Sequence, residues 1–165
     1  MFEINIEEIK KEFEGLSLRD KVFKVSDLVE DMENALSDVQ YLQEDLIQEY
    51  EESITDPLKT WVKNLMQERN WLEHLSIHVD YYPVFTVDSQ FGKVELVAAF
   101  NIGSDWQVGI RPANCTSENH EFKVMPNLED AFEAVKNGSK DLMLVYVKEN
   151  ELRQAFERII TILCE

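Results

Sequence analysis

Between Leu18 and Leu46 the chain keeps a seven-residue apolar register. Leu18, Val25, Met32, Val39 and Leu46 form one column, and Leu28, Ala35 and Leu42 form a second, displaced by three. Val22, Val29, Leu36 and Tyr50 widen the stripe. A strand alternates its faces every residue and cannot gather such a set, whereas a helix brings three residues in seven to one side. The spacing predicts a long core-facing helix from about Leu18 to Ile54, roughly 55 Å at ~1.5 Å per residue. Ser26-Asp27 offers a place inside it for a break, because both residues favour caps.

The flanks carry start and stop signals. Asn5 with Glu8 reads as a capping box ahead of Ile6, Ile9, Phe13 and Leu16, with Gly15 as the stop. Ser17 with Asp20 restarts the helix. Thr55-Asp56-Pro57 reads as a boundary, with Asp56 as N-cap and Pro57 at the first helical position. Leu58, Trp61, Val62, Leu65, Leu72 and Leu75 continue with helical spacing, and the short connection predicts that they fold back as an antiparallel hairpin.

The period changes after His74. Ile77–Val87 is rich in β-branched and aromatic residues, Val94–Ile102 alternates strictly, and so does Trp106–Ile110. Ser89–Gly92 and Gly103–Asp105 are natural hairpin turns, and Phe122 and Val124 suggest a short strand. Asn127 with Asp130 caps a helix stopped by Asn137-Gly138; residues 141–147 read as a buried strand, and Leu152 to Leu163 as a closing helix. Segregated helices and mostly antiparallel strands predict an α+β fold: an N-terminal helical hairpin with one long acidic helix, a sheet of 4–5 strands and two C-terminal helices. The 165 residues suit one domain, with a helical part (1–76) and a sheet part (77–165).

Charge is the second anomaly. The net charge is −17, from 16 basic and 33 acidic residues. Eleven of the acids lie between Val25 and Leu58, a stretch without Lys, Arg or His: Asp27, Glu30, Asp31, Glu33, Asp38, Glu44, Asp45, Glu49, Glu51, Glu52 and Asp56. Asp31, Asp38, Asp45 and Glu52 are seven apart, and so are Glu44 and Glu51, with Glu30 two repeats earlier. Solvated faces usually mix signs, because Glu–Lys pairs four apart stabilise a helix by about 0.2–0.5 kcal/mol and like pairs cost as much. Lys59, Lys63 and Arg69 on a folded-back helix could neutralise at most three of the eleven. One carboxylate per ~4 Å of helix approaches the axial charge of a single nucleic-acid strand, about one per 3.4 Å. Such a surface repels nucleic acid and anionic lipid and attracts basic proteins.

No sequence pattern of a catalytic or cofactor site is present: no GxGxxG, Walker loop, GxSxG or HExxH. His74 and His78 straddle the expected helix end, and Asp80 would be a third metal ligand only by chance of folding. Cys115 and His120 share a loop that fixes no geometry for a thiolate dyad. Trp71, Trp106, Tyr81 and Tyr82 are expected in or beside the core, because base stacking would need basic neighbours. No cofactor and no metal are expected. The N-terminus lacks the charged and apolar regions of a secretion signal, and no apolar run approaches the ~20 residues of a membrane span, so a cytoplasmic chain with reduced thiols is expected. The sequon at Asn114 is then accidental.

The expectation is a non-enzymatic protein that binds a basic, nucleic-acid-binding protein and inhibits or regulates it, the eleven acids imitating a polyanion. Small anti-restriction and anti-CRISPR inhibitors encoded by phages have this size and charge, a likeness of class alone. The alternatives are an immunity or antitoxin protein that neutralises a basic toxin enzyme, and a cytosolic adaptor or assembly protein. Direct binding of nucleic acid or membrane is not expected. Nor is a coiled-coil dimer through residues 25–46, since the stripe is expected to pack within its own chain.

Overall fold

The computed structural model describes residues 3–79, 82–113 and 122–165. They form two compact units, Met1–Gln48 and Glu49–Glu165. The class is α+β, as the periodicities imply.

The first unit is helical. Helix α1 (Ile6–Glu12) starts where the Asn5 side-chain oxygen accepts the Glu8 N–H at 3.3 Å, and the chain turns at Gly15 with φ of 84°. The Ser17 hydroxyl accepts the Asp20 N–H at 3.1 Å and donates to the Asp20 carboxylate at 2.7 Å, launching α2 (Leu18–Glu68). Ser26-Asp27 makes no break in it. None of the described residues up to Gln48 is buried.

The second unit begins inside α2, and here one expectation fails. The helix does not stop at Asp56 and fold back; it runs through Pro57 to Glu68. Asp56 is no N-cap, and its carboxylate pairs with Lys59 Nζ at 2.8 Å. Proline in a helix interior removes one hydrogen bond and costs about 3 kcal/mol. Packing outweighs that cost. Ile54, Leu58, Val62 and Met66, four residues apart, meet one core from both sides of the proline. Full burial of Leu58, Val62 and Met66 stabilises by about 1.5–3 kcal/mol each. The helix ends at Glu68, and the φ of 58° at Asn70 lets the Trp71 N–H donate to the Met66 carbonyl at 2.8 Å.

A six-stranded sheet follows, in the order β1-β2-β3-β4-β6-β5. Strands β1 (Leu75–Val79), β2 (Pro83–Ser89), β3 (Gly92–Asn101) and β4 (Asp105–Pro112) form an antiparallel meander. β6 (Leu142–Val147) adds antiparallel to β4, and β5 (Phe122–Val124) lies parallel to β6 at the edge. The sheet exceeds the expected 4–5 strands because Ile77–Val87 is two strands, not one, with Val79 opposite Pro83. Proline lacks an N–H and so sits at a strand start. Both hairpin turns fall where the sequence places them, with Gly92 at φ 94° and Asp105 at φ 64°.

Helix α3 (Leu128–Lys136) is capped by Asn127, whose side-chain oxygen accepts the Asp130 N–H at 2.8 Å, and α4 (Leu152–Cys164) closes the fold. Together with the C-terminal part of α2 they cover one face of the sheet. The core joins Val62 and Met66 to Phe85, Leu96, Trp106 and Ile110, and to Phe132, Phe156 and Ile160. On the opposite face Val97, Leu142 and Leu144 close over Gly109, where a Cβ would meet Val97 Cγ2 at 2.5 Å.

Candidate functional site

In the first unit the regular α2 backbone displays seven of the eleven acids: Asp27, Glu30, Asp31, Glu33, Asp38, Glu44 and Asp45. All seven are exposed. Among the described residues no basic side chain pairs with any of them. They span about 27 Å of helix, about one charge per 4 Å. Asp31 and Asp38 each lie three residues after and four residues before a member of the Leu28–Ala35–Leu42 column, so their carboxylates border the apolar stripe.

That stripe is itself exposed. Met32 retains 37% of its accessible surface, Leu36 58%, Val39 62%, Leu42 57% and Leu46 55%. The expectation of a folded-back helix after Pro57 on which the stripe would pack therefore fails. The helix after Pro57 is the continuation of the same helix, and no helix can fold onto its own side. Sequence periodicity marked these residues as core-facing, and nothing in the pattern distinguishes a core of this chain from a surface awaiting another.

The remaining four acids, in the second unit, differ from one another. Glu49, Glu52 and Asp56 are exposed, and Asp56 is paired with Lys59. Glu51 is half-buried, and burial pushes its carboxyl above the usual value. The doublet Glu51-Glu52 is thus less uniform than Glu30-Asp31 or Glu44-Asp45. Of the other cations expected to neutralise the cluster, Arg69 is committed elsewhere. It donates to Glu157 at 2.5 Å and Thr161 at 2.6 Å, and stacks on Trp71.

Tyr50, read from the sequence as a stripe residue, has a different role. Its hydroxyl donates to Glu149 at 2.5 Å and accepts the Trp106 indole N–H at 3.0 Å. Its ring meets Phe100 edge-on at 4.8 Å. These contacts lie 50 or more residues apart in sequence, so no local signal announces them.

The other candidates do not assemble. His74 ends a 3-10 turn and His78 lies in β1, so they share no helical face; Asp80, Cys115 and His120 lie outside the described residues. Among the described residues no group of three or more His, Cys, Asp or Glu could hold a metal ion. Trp106 is fully buried and Trp71 packs at the core edge, while Tyr82 is exposed and Tyr81 lies outside the described residues. A shallow cleft of about 270 Å³ gathers His74, Asp88 and Cys164, a combination that 90 residues of separation hid from the sequence reading. Burial pushes the Cys164 thiol up, which disfavours the thiolate a nucleophile needs. Among the described residues no helix is long and apolar enough to cross a membrane. No known protein family, curated protein or solved structure matches this chain.

Proposed function

We propose that this is a non-enzymatic, cytoplasmic interaction protein that binds a basic, nucleic-acid-binding protein and inhibits or regulates it by imitating a polyanion. One observation carries the reading: seven exposed carboxylates on one regular helix, Asp27 to Asp45, with no basic side chain paired to them among the described residues. Folding gains nothing from that concentration, since like charges at helical spacing destabilise. A Lys- and Arg-lined groove would relieve the repulsion, and complementary charge would speed encounter and set specificity. Glu49, Glu52 and Asp56, with the half-buried Glu51, give the second unit a negative segment of its own.

The test is competition. The full chain is immobilised and presented with a panel of basic nucleic-acid-binding proteins, with and without duplex DNA. The reading expects a partner that DNA displaces. It also expects Glu30→Gln, Asp31→Asn, Glu44→Gln and Asp45→Asn together to slow association and flatten its salt dependence. A partner retained with unchanged rate and salt slope by that variant, and not displaced by DNA, replaces this reading with that of an adaptor.

A further inference from the structure

The polyanion reading uses the carboxylates and leaves the apolar stripe beside them unexplained. The same stretch exposes Val29, Met32, Leu36, Val39, Leu42 and Leu46 at helical spacing. A helix gains most of its stability by burying such a face, and an isolated one is marginal in water. This one carries in addition a column of like charges that weakens it. None of the residues from Leu18 to Gln48 is fully buried, so the stripe is open to another molecule.

Charge decides which molecule. A second copy is a poor occupant. Parallel pairing would set Asp31 and Asp38 against Val29 and Leu36 of the copy, and antiparallel pairing would set acids against acids. An anionic membrane would be repelled by the same carboxylates. The remaining occupant has an apolar ridge to fill the stripe and cations to meet Asp31, Asp38 and Asp45 along its border. We infer that the helical face between Val25 and Leu46 docks a basic amphipathic helix of the partner protein, apolar side chains packing on Met32, Leu36, Val39 and Leu42 and flanking Lys or Arg pairing with Asp31, Asp38 and Asp45.

This rests on the proposed reading in one respect, that the partner is basic. It adds that recognition needs an apolar seam in register with the charge, which a nucleic-acid strand could not supply.

The test measures fluorescence anisotropy of labelled probes with the full chain. The first probe is a three-heptad helical peptide with an apolar seam and Lys on both flanks. The second has the same composition with the seam scrambled, the third is poly-lysine, and the fourth replaces the flanking Lys by Glu. The first probe is expected to bind at least about tenfold more tightly than each of the others. Leu36→Ser with Leu42→Ser should weaken the first probe at least about tenfold and leave poly-lysine unchanged. Both positions are exposed, so thermal unfolding should not change and confirms that the fold is kept. Asp31→Asn, Asp38→Asn and Asp45→Asn together should weaken it about three- to tenfold at low salt. Equal binding of poly-lysine and the first probe overturns this inference and leaves the polyanion reading standing. Failure of every basic probe overturns both. Equal binding of the Glu-flanked peptide overturns the basic partner. A dimer in sedimentation that the Leu→Ser pair abolishes assigns the stripe to a second copy. Binding to phosphatidylcholine vesicles that the same pair abolishes assigns it to a lipid surface.

Discussion

Replacing Tyr50 by Phe isolates a polar linkage that ties α2 to the sheet inside the second unit. The change keeps the ring, and with it the edge-on contact with Phe100 at 4.8 Å and the tilted contact with Trp106 at 5.9 Å. It removes only the hydroxyl. The bond to Glu149 contributes little by itself, about 0.5–1.5 kcal/mol, because Glu149 is exposed and water can take the vacated place. The bond from Trp106 matters more. Trp106 has no accessible surface, so its indole N–H would be left buried without its acceptor, at about 1–3 kcal/mol. The sum is about 1.5–4.5 kcal/mol, a fall in Tm of about 3–18 °C for a chain of this size. Thermal melts followed by near-ultraviolet circular dichroism, to which Trp106 contributes with the other aromatic side chains, are the assay, with urea unfolding to check that the m-value is kept. A loss below about 0.5 kcal/mol would mean that water reaches the indole N–H, and the argument from burial fails. A pH arm follows from the same geometry. The bond to Glu149, with burial added, holds the Tyr50 hydroxyl above its ordinary pKa of 10.0. The folded chain therefore keeps that proton better than the unfolded chain does. The contribution to stability is complete below the unfolded value and is lost as pH rises through the folded one. Tyr50→Phe should show a shallower alkaline loss than the parent.

Three further outcomes are expected. Pro57→Ala restores the N–H missing from the interior of α2 and should raise stability by up to about 3 kcal/mol, read as a higher urea midpoint; a loss would indicate that the chain turns at Asp56 after all. Gly109→Ala places a Cβ 2.5 Å from Val97 Cγ2 and 3.0 Å from Leu142 Cδ1, so it should destabilise by about 1–3 kcal/mol, whereas no loss in a denaturant melt would mean that Val97 moves aside freely. Glu51→Gln should stabilise by a few tenths of a kcal/mol at neutral pH, discounted for solvent screening, and this gain should vanish as pH falls below the ordinary carboxyl value; because burial raises the Glu51 pKa, the parent alone loses this stability as pH rises through the folded value, and parent and variant stabilities that change in parallel with pH contradict the burial of that carboxyl.

The features that were legible in the sequence are those whose cause is local. Asn5, Ser17 and Asn127 announce helix starts because a cap is made within three residues, and each accepts the N–H expected of it. The alternation from Val94 to Ile110 announces β3 and β4 because neighbouring residues must face opposite sides of a sheet. Pro57 misled because its local preference for a helix start is also local evidence, and here a tertiary term overrode it. The overriding signal was present: Ile54, Leu58, Val62 and Met66 keep a four-residue spacing across the proline without a phase shift. A chain that turned at Asp56 would have had no reason to preserve that phase. The same comparison explains the exposed stripe. From Leu18 to Leu46 the pattern is that of a core-facing helix, yet those residues contribute nothing to the core that Leu58, Val62 and Met66 complete. Apolar periodicity marks a face suited to burial, and it carries no information about whose atoms would bury it. Charge supplies what periodicity lacks. The acids were visible at once, and under the proposed reading Asp31, Asp38 and Asp45 along the stripe favour a cover that is both apolar and basic.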